Sequence, residues 1–106
     1  MPTQENLPIL LPQNKIKAFC QQYKIQKLSL FGSVLRKDFT TESDLDFLVE
    51  FLPEAKITYF DLAQMERELS LILDGRKIDL RTPAELSHYF RQEVLEIALV
   101  QYYVQN

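Results

Sequence analysis

Apolar residues recur along the chain in two rhythms. From Ile16 the rhythm is helical, with Ile16, Phe19, Cys20 and Tyr23 at i, i+3, i+4 and i+7. Pro12 suits the first turn of that helix, where its missing N–H costs nothing, and residues 1–11 read as an extended lead-in. Leu28 to Phe31 is short and alternating, a strand ended by Gly32. Ser33 to Lys37 suits a helical turn, and Asp38 to Ser43 is a polar loop. From Asp44 to Phe51 strict alternation returns. Leu45, Phe47, Val49 and Phe51 take one face, and Asp44, Asp46, Leu48 and Glu50 the other. Pro53 closes that strand. Tyr59 to Asp74 reads as a helix striped by Leu62, Met65, Leu69, Ile72 and Leu73, with Asp74-Gly75 as its stop. Lys77 to Arg81 predicts a third strand, Ile78 and Leu80 pointing one way, Asp79 and Arg81 the other. Thr82-Pro83 breaks it. Glu85 to about Tyr103 predicts a long final helix with two stripes, Phe90, Val94, Ile97 and Leu95, Leu99, Tyr103. So wide an apolar face suits a partner surface as well as it suits extra core contact. The expected class is α/β (α+β), a small sheet with helices packed on it.

Size and composition narrow the function. The chain has 106 residues, read as one domain over 1–106, and a chain of this length buries roughly two thirds of its unfolded surface. Apolar content of 46% and charged content of 25% are ordinary for a soluble domain. No apolar run approaches the ~20 residues a membrane helix needs, and no secretory leader pattern opens the sequence. The expectation is a cytosolic protein. A single cysteine, Cys20, excludes an intrachain disulfide and fits a buried apolar role. A single histidine, His88, excludes a Cys/His zinc site and reads as a surface or cap residue. The net charge of −3 argues against general binding to nucleic acid, whose backbone asks for a basic surface.

One stretch carries the chemistry. Alternate strand residues sit about 6.5–7 Å apart and point the same way, so Asp44 and Asp46 project two carboxylates into one volume. Unpaired, they repel. A divalent cation removes the repulsion, and carboxylates are hard ligands suited to Mg²⁺. Asp79 faces away from its apolar neighbours and can join them if the strands pair. Three acids suit two metal ions, one at the attacking oxygen and one at the leaving oxygen. Gly32-Ser33 follows a strand and precedes a turn. Such a bend offers backbone N–H groups and a hydroxyl to an anion, and triphosphate is the ligand that goes with Mg²⁺. Gly-Ser after a strand is common, and Asp-x-Asp often only caps a strand. The weight lies in the combination and its order.

That combination, GSVLRKDFTTESDLDFLVEF, resembles the nucleotidyltransferase signature of the DNA polymerase beta superfamily. More narrowly it is similar to the minimal nucleotidyltransferases (MNT), with a pattern near GSxARGxxxxxSDxDLxV. KIDLRTP resembles the strand bearing that family's third acid. The resemblance implies a polymerase-beta-type fold with a mixed sheet. It implies that Gly32, Ser33 and Arg36 bind the nucleotide and that Asp44, Asp46 and Asp79 are the catalytic and Mg²⁺-binding acids. Leu35 stands where the pattern has a small residue and Lys37 where it has a second glycine, which leaves the loop geometry and the nucleotide choice open. Such enzymes move a nucleoside monophosphate from NTP to a hydroxyl and release pyrophosphate. Minimal members resemble antitoxins that adenylylate a tyrosine of a HEPN-domain RNase toxin, in type VII-like pairs. The implied partners are ATP and a HEPN toxin. A small-molecule or RNA-end acceptor, and an antitoxin that only binds, are the alternatives.

Overall fold

A computed structural model describes residues 11–32, 44–85 and 98–104. Helix α1 spans Gln13–Gln22 and buries Ile16, Phe19 and Cys20, the predicted stripe. Pro12 stands at its N-cap, extended, and accepts the Ile16 N–H at 2.9 Å. The Phe19 and Tyr23 rings pack with centroids 5.2 Å apart. Lys24, left-handed at φ 55, turns the chain into strand β1, Ile25–Phe31. β1 starts earlier than alternation suggested, because Ile25 is core although Gln26 and Lys27 interrupt the apolar pattern.

Strand β2, Leu45–Phe51, runs antiparallel to β1, from Phe31 opposite Asp46 to Ile25 opposite Phe51. Helix α2, Tyr59–Ile72, opens with a capping box: the Thr58 N–H donates to Asp61 Oδ2 at 2.8 Å, and the Asp61 N–H to Thr58 Oγ1 at 3.2 Å. A cap of this kind contributes about 1 kcal/mol. Met65 and Leu69 are buried, with Leu73 behind them and Leu62 and Ile72 packed alongside. Asp74 and Gly75, at φ 60 and 84, end the helix as its stop signal predicts. Strand β3, Ile78–Arg81, then pairs parallel to β2. A short 3₁₀ turn, Pro83–Glu85, follows.

The predicted final helix is corrected at its end. Leu99–Tyr103 is strand β4, antiparallel to β1, so Leu99 and Tyr103 belong to a sheet and not to a helical stripe. Leu99 and Tyr103 lie four apart, a spacing that fits either rhythm. The β-prone run Val100 to Val104 decides for the strand. His88, Phe90, Val94, Leu95 and Ile97 lie outside the described residues.

The sheet order is β3-β2-β1-β4, mixed, with two helices against it among the described residues. One face holds the core: Leu28, Leu30, Leu45, Phe47, Val49 and Leu80 meet residues of α1 and α2. Leu48, predicted on the acid face, is only 1% exposed and stands outside that cluster, opposite the equally buried Ser29. No helix among the described residues is long and apolar enough to cross a membrane.

Candidate active site

Strand direction gathers the candidate residues. β1 runs antiparallel to β2 and β3 runs parallel to it, so the end of β1 meets the starts of β2 and β3. Phe31, Asp46 and Asp79 are register partners across the three strands. Directly opposed residues share a face, which places Asp46 and Asp79 side by side with Gly32 next along from Phe31.

Gly32 is required here twice over. Its φ of +78 lies in the left-handed region. A Cβ at this position would also overlap the Asp46 carboxylate. The Asp46 carboxylate therefore lies over the bare backbone of Gly32. Ser33 and Arg36 fall outside the described residues.

Each of the other two acids faces a cation. Asp44, just ahead of β2, lies 4.0 Å from Lys77 Nζ, and the Leu45 N–H donates to the Lys77 carbonyl at 2.9 Å. Asp79 Oδ2 lies 3.3 Å from the Arg81 guanidinium, whose other arm reaches Glu85 Oε2 at 3.6 Å. Asp79 above all, with Glu85 adding to it and desolvation opposing, raises the Arg81 pKa. Glu85 is itself held, its Oε1 accepting from the Thr82 N–H and hydroxyl, both at 3.2 Å.

Glu66 of α2 adds a support that no sequence pattern announces. Its carboxylate accepts the Leu80 N–H at 2.9 Å. Among the described residues β3 pairs only with β2, so Glu66 fastens the outer side of the strand that carries Asp79.

The donor chemistry fits a hard divalent cation, since all three candidate ligands are carboxylates. The arrangement is aligned but not closed. Among the described residues, no three Asp, Glu, His or Cys side chains already form a metal cage. Asp79 is engaged by Arg81 and Asp44 faces Lys77. An open cavity of about 500 Å³ lies between the start of α2 and the Pro83 turn, lined by Ile57, Leu62, Thr82 and Glu85 among others. None of the three acids lines it.

Comparison with known proteins identifies the family and the fold. Residues 13–100 match the family described as nucleotidyltransferase domain. A Methanocaldococcus jannaschii protein named as a candidate protein adenylyltransferase is 30% identical, the match covering 94% of this chain and 98% of that protein. The structure of a candidate minimal nucleotidyltransferase superposes with a TM-score of 0.67 at 29% identity, covering 82% of this chain and 86% of that one. A chain of a toxin–antitoxin complex crystallised with AMP-PNP superposes with a TM-score of 0.69 at 25% identity, covering 90% of this chain and 76% of that one.

Proposed function

The chain belongs to the nucleotidyltransferase domain family and has the polymerase-beta-type fold of a minimal nucleotidyltransferase, and from that premise we propose that it transfers AMP from ATP to a tyrosine of a HEPN-domain toxin, as that toxin's antitoxin. The observation that carries the reading is the seating of the Asp46 carboxylate over Gly32, beside Asp79. It joins a bend able to grip an anion to acids able to hold a cation. Likeness to a candidate protein adenylyltransferase, and to a toxin–antitoxin chain crystallised with an ATP analogue, supports the nucleotide and the class of acceptor. The net charge of −3 favours a protein acceptor over a nucleic-acid one.

In this mechanism Gly32 leaves room for the Asp46 carboxylate against the bend, and the backbone of Gly32 with Ser33 and Arg36 takes phosphate oxygens. Asp44, Asp46 and Asp79 would hold Mg²⁺, two ions in a full site, and the metal would supply neutralisation of the triphosphate and of the departing pyrophosphate. The acceptor oxygen attacks the α-phosphorus. The bond from that phosphorus to the bridging oxygen breaks and pyrophosphate leaves. The phenolic proton passes to a carboxylate, the part this reading gives to Asp79, whose side chain is 39% exposed. Catalysis is mainly alignment and charge.

The ion pairs at Asp44 and Asp79 favour a second reading, an antitoxin that works by binding alone. Incubation with labelled ATP, Mg²⁺ and the toxin encoded beside this chain separates the readings. Label on a toxin tyrosine, lost in an Asp44→Asn, Asp46→Asn double variant that also fails to neutralise in cells, is the expected result. Full neutralisation by that double variant overturns the enzymatic reading. Label on total RNA and not on the toxin moves the acceptor to an RNA end.

A further inference from the structure

The face that bears the acids also carries cations in an ordered place. Lys77, Asp79 and Arg81 alternate along and just ahead of β3, a cation, an anion and a cation. Beside them on β2, Asp46 pairs in register with Asp79 and Leu48 with Arg81, and one step earlier Asp44 stands by Lys77, 4.0 Å away. Like charges are therefore opposed only at Asp46 and Asp79, and the like-charged pair is flanked by cations.

Arg81 is the better placed of the two. One arm of its guanidinium meets Asp79 at 3.3 Å and the other meets Glu85 at 3.6 Å. Glu85 is fixed by two hydrogen bonds from Thr82. If Asp79 were withdrawn, Glu85 would still hold the guanidinium at the rim of the site. An exposed ion pair of this kind is weak, and a divalent cation displaces it at little cost. The freed face of a guanidinium is a planar fork suited to phosphate oxygens.

We infer that Arg81, with Lys77 in a lesser role, is a resident counter-ion that yields Asp79 to the incoming divalent cation and then binds the polyphosphate arriving with it. The inference rests on the reading of Asp79 as a metal ligand. It accounts for acids that are aligned yet not closed into a cage: each outer acid is kept neutralised until the metal comes. It also gives the site a positive group beside three negative ones, without which the acids repel the nucleotide they are meant to receive.

The test is calorimetric and needs no turnover. Mn²⁺ is titrated into the whole chain without nucleotide, and inorganic pyrophosphate is then titrated at saturating Mn²⁺. Arg81→Gln is expected to bind Mn²⁺ about two- to fivefold more tightly, the size an exposed pair supports. The same variant is expected to bind pyrophosphate about tenfold more weakly, the size of a charge-assisted contact. Arg81→Lys should fall between it and the wild type for pyrophosphate. An Arg81→Gln chain with unchanged Mn²⁺ and pyrophosphate binding, or with weakened Mn²⁺ binding, overturns the exchange. Asp79→Asn separates the layers: loss of Mn²⁺ affinity there, with Arg81→Gln silent, sinks the exchange alone. Wild-type Mn²⁺ affinity in Asp79→Asn sinks the metal reading of Asp79 and the exchange with it. If Arg81→Gln does not fold, Arg81→Lys decides, with weaker pyrophosphate binding supporting the exchange and unchanged binding overturning it.

Discussion

The two faces of the sheet are made from alternate residues of the same strands, yet they satisfy different demands. Towards the helices, Leu28, Leu30, Leu45, Phe47, Val49 and Leu80 are all at most 4% exposed. On the other face, Asp46 opposes Asp79, and Arg81 pairs beside them, open to solvent. The first face lowers the free energy of folding by removing apolar surface from water. The second opposes two like charges, which lowers stability unless something positive lies near. The contrast teaches that β2 carries core residues on one face and carboxylates on the other, sorted by residue parity except at the buried Leu48. Substitutions one position apart should then move different observables.

The largest separation is expected at neighbours. Phe47→Ala should destabilise the fold by about 3–5 kcal/mol, the usual cost of emptying a core aromatic site. Urea denaturation measures it, and a loss under about 1 kcal/mol would mean the core face is not where stability lies. Asp46→Asn should slow AMP transfer by about a hundred- to a thousandfold while leaving the thermal midpoint level or slightly higher. A midpoint that drops in step with activity would merge the two faces into one.

Smaller effects sharpen the boundary. Gly32→Ala should cost about 1–3 kcal/mol from its left-handed backbone and should also push the Asp46 carboxylate away. It is the one position where stability and transfer should fall together. Glu66→Ala should cost about 1–2 kcal/mol by stranding the Leu80 N–H. Glu66→Gln, which keeps an acceptor oxygen, should recover most of that loss, and equal losses in the two variants would count against the hydrogen bond. The smallest effect is a pH trend from Cys20, whose thiol burial pushes up to about 12 from an ordinary 9.0. The unfolded thiol ionises first, so this stability is complete below pH about 9 and is lost as pH rises towards about 12. Tyr23 acts in the same direction, by burial first and then by Glu68, up to about 12 from 10.0. Denaturation midpoints followed above pH 9 should decline less steeply in Cys20→Ala, and identical slopes would remove Cys20 from the account.

Much of this was legible in residue order. The alternation of Asp44 to Phe51 announced both the strand and the face that bears Asp46. The stripe from Leu62 to Leu73 and the Asp74-Gly75 stop announced α2. Leu99 and Tyr103 misled because a four-residue spacing satisfies a helix and a strand alike, and the β-prone run Val100 to Val104 and its pairing with β1 break the tie. Leu48 misled differently: parity put it with the acids, but burial depends on what else covers that face. Glu66 was invisible, since one glutamate on a helix carries no periodic signal and its partner is a backbone group fourteen residues on. The engagement of Asp79 by Arg81 was likewise beyond reach, because a residue pair two apart on a strand says nothing of side-chain rotamers.

Gly75 shares the left-handed backbone of Gly32, at φ +84, but nothing stands within 4 Å of where its Cβ would be. It occupies the turn that feeds β3, so it sits at the end of the sheet where Asp79 enters. A dye-bearing cysteine inserted into this turn would be the accessible thiol of the molecule, Cys20 being sealed in the core. Fluorescence from that spot would report nucleotide arrival in real time, on a chain whose own chemistry is left untouched.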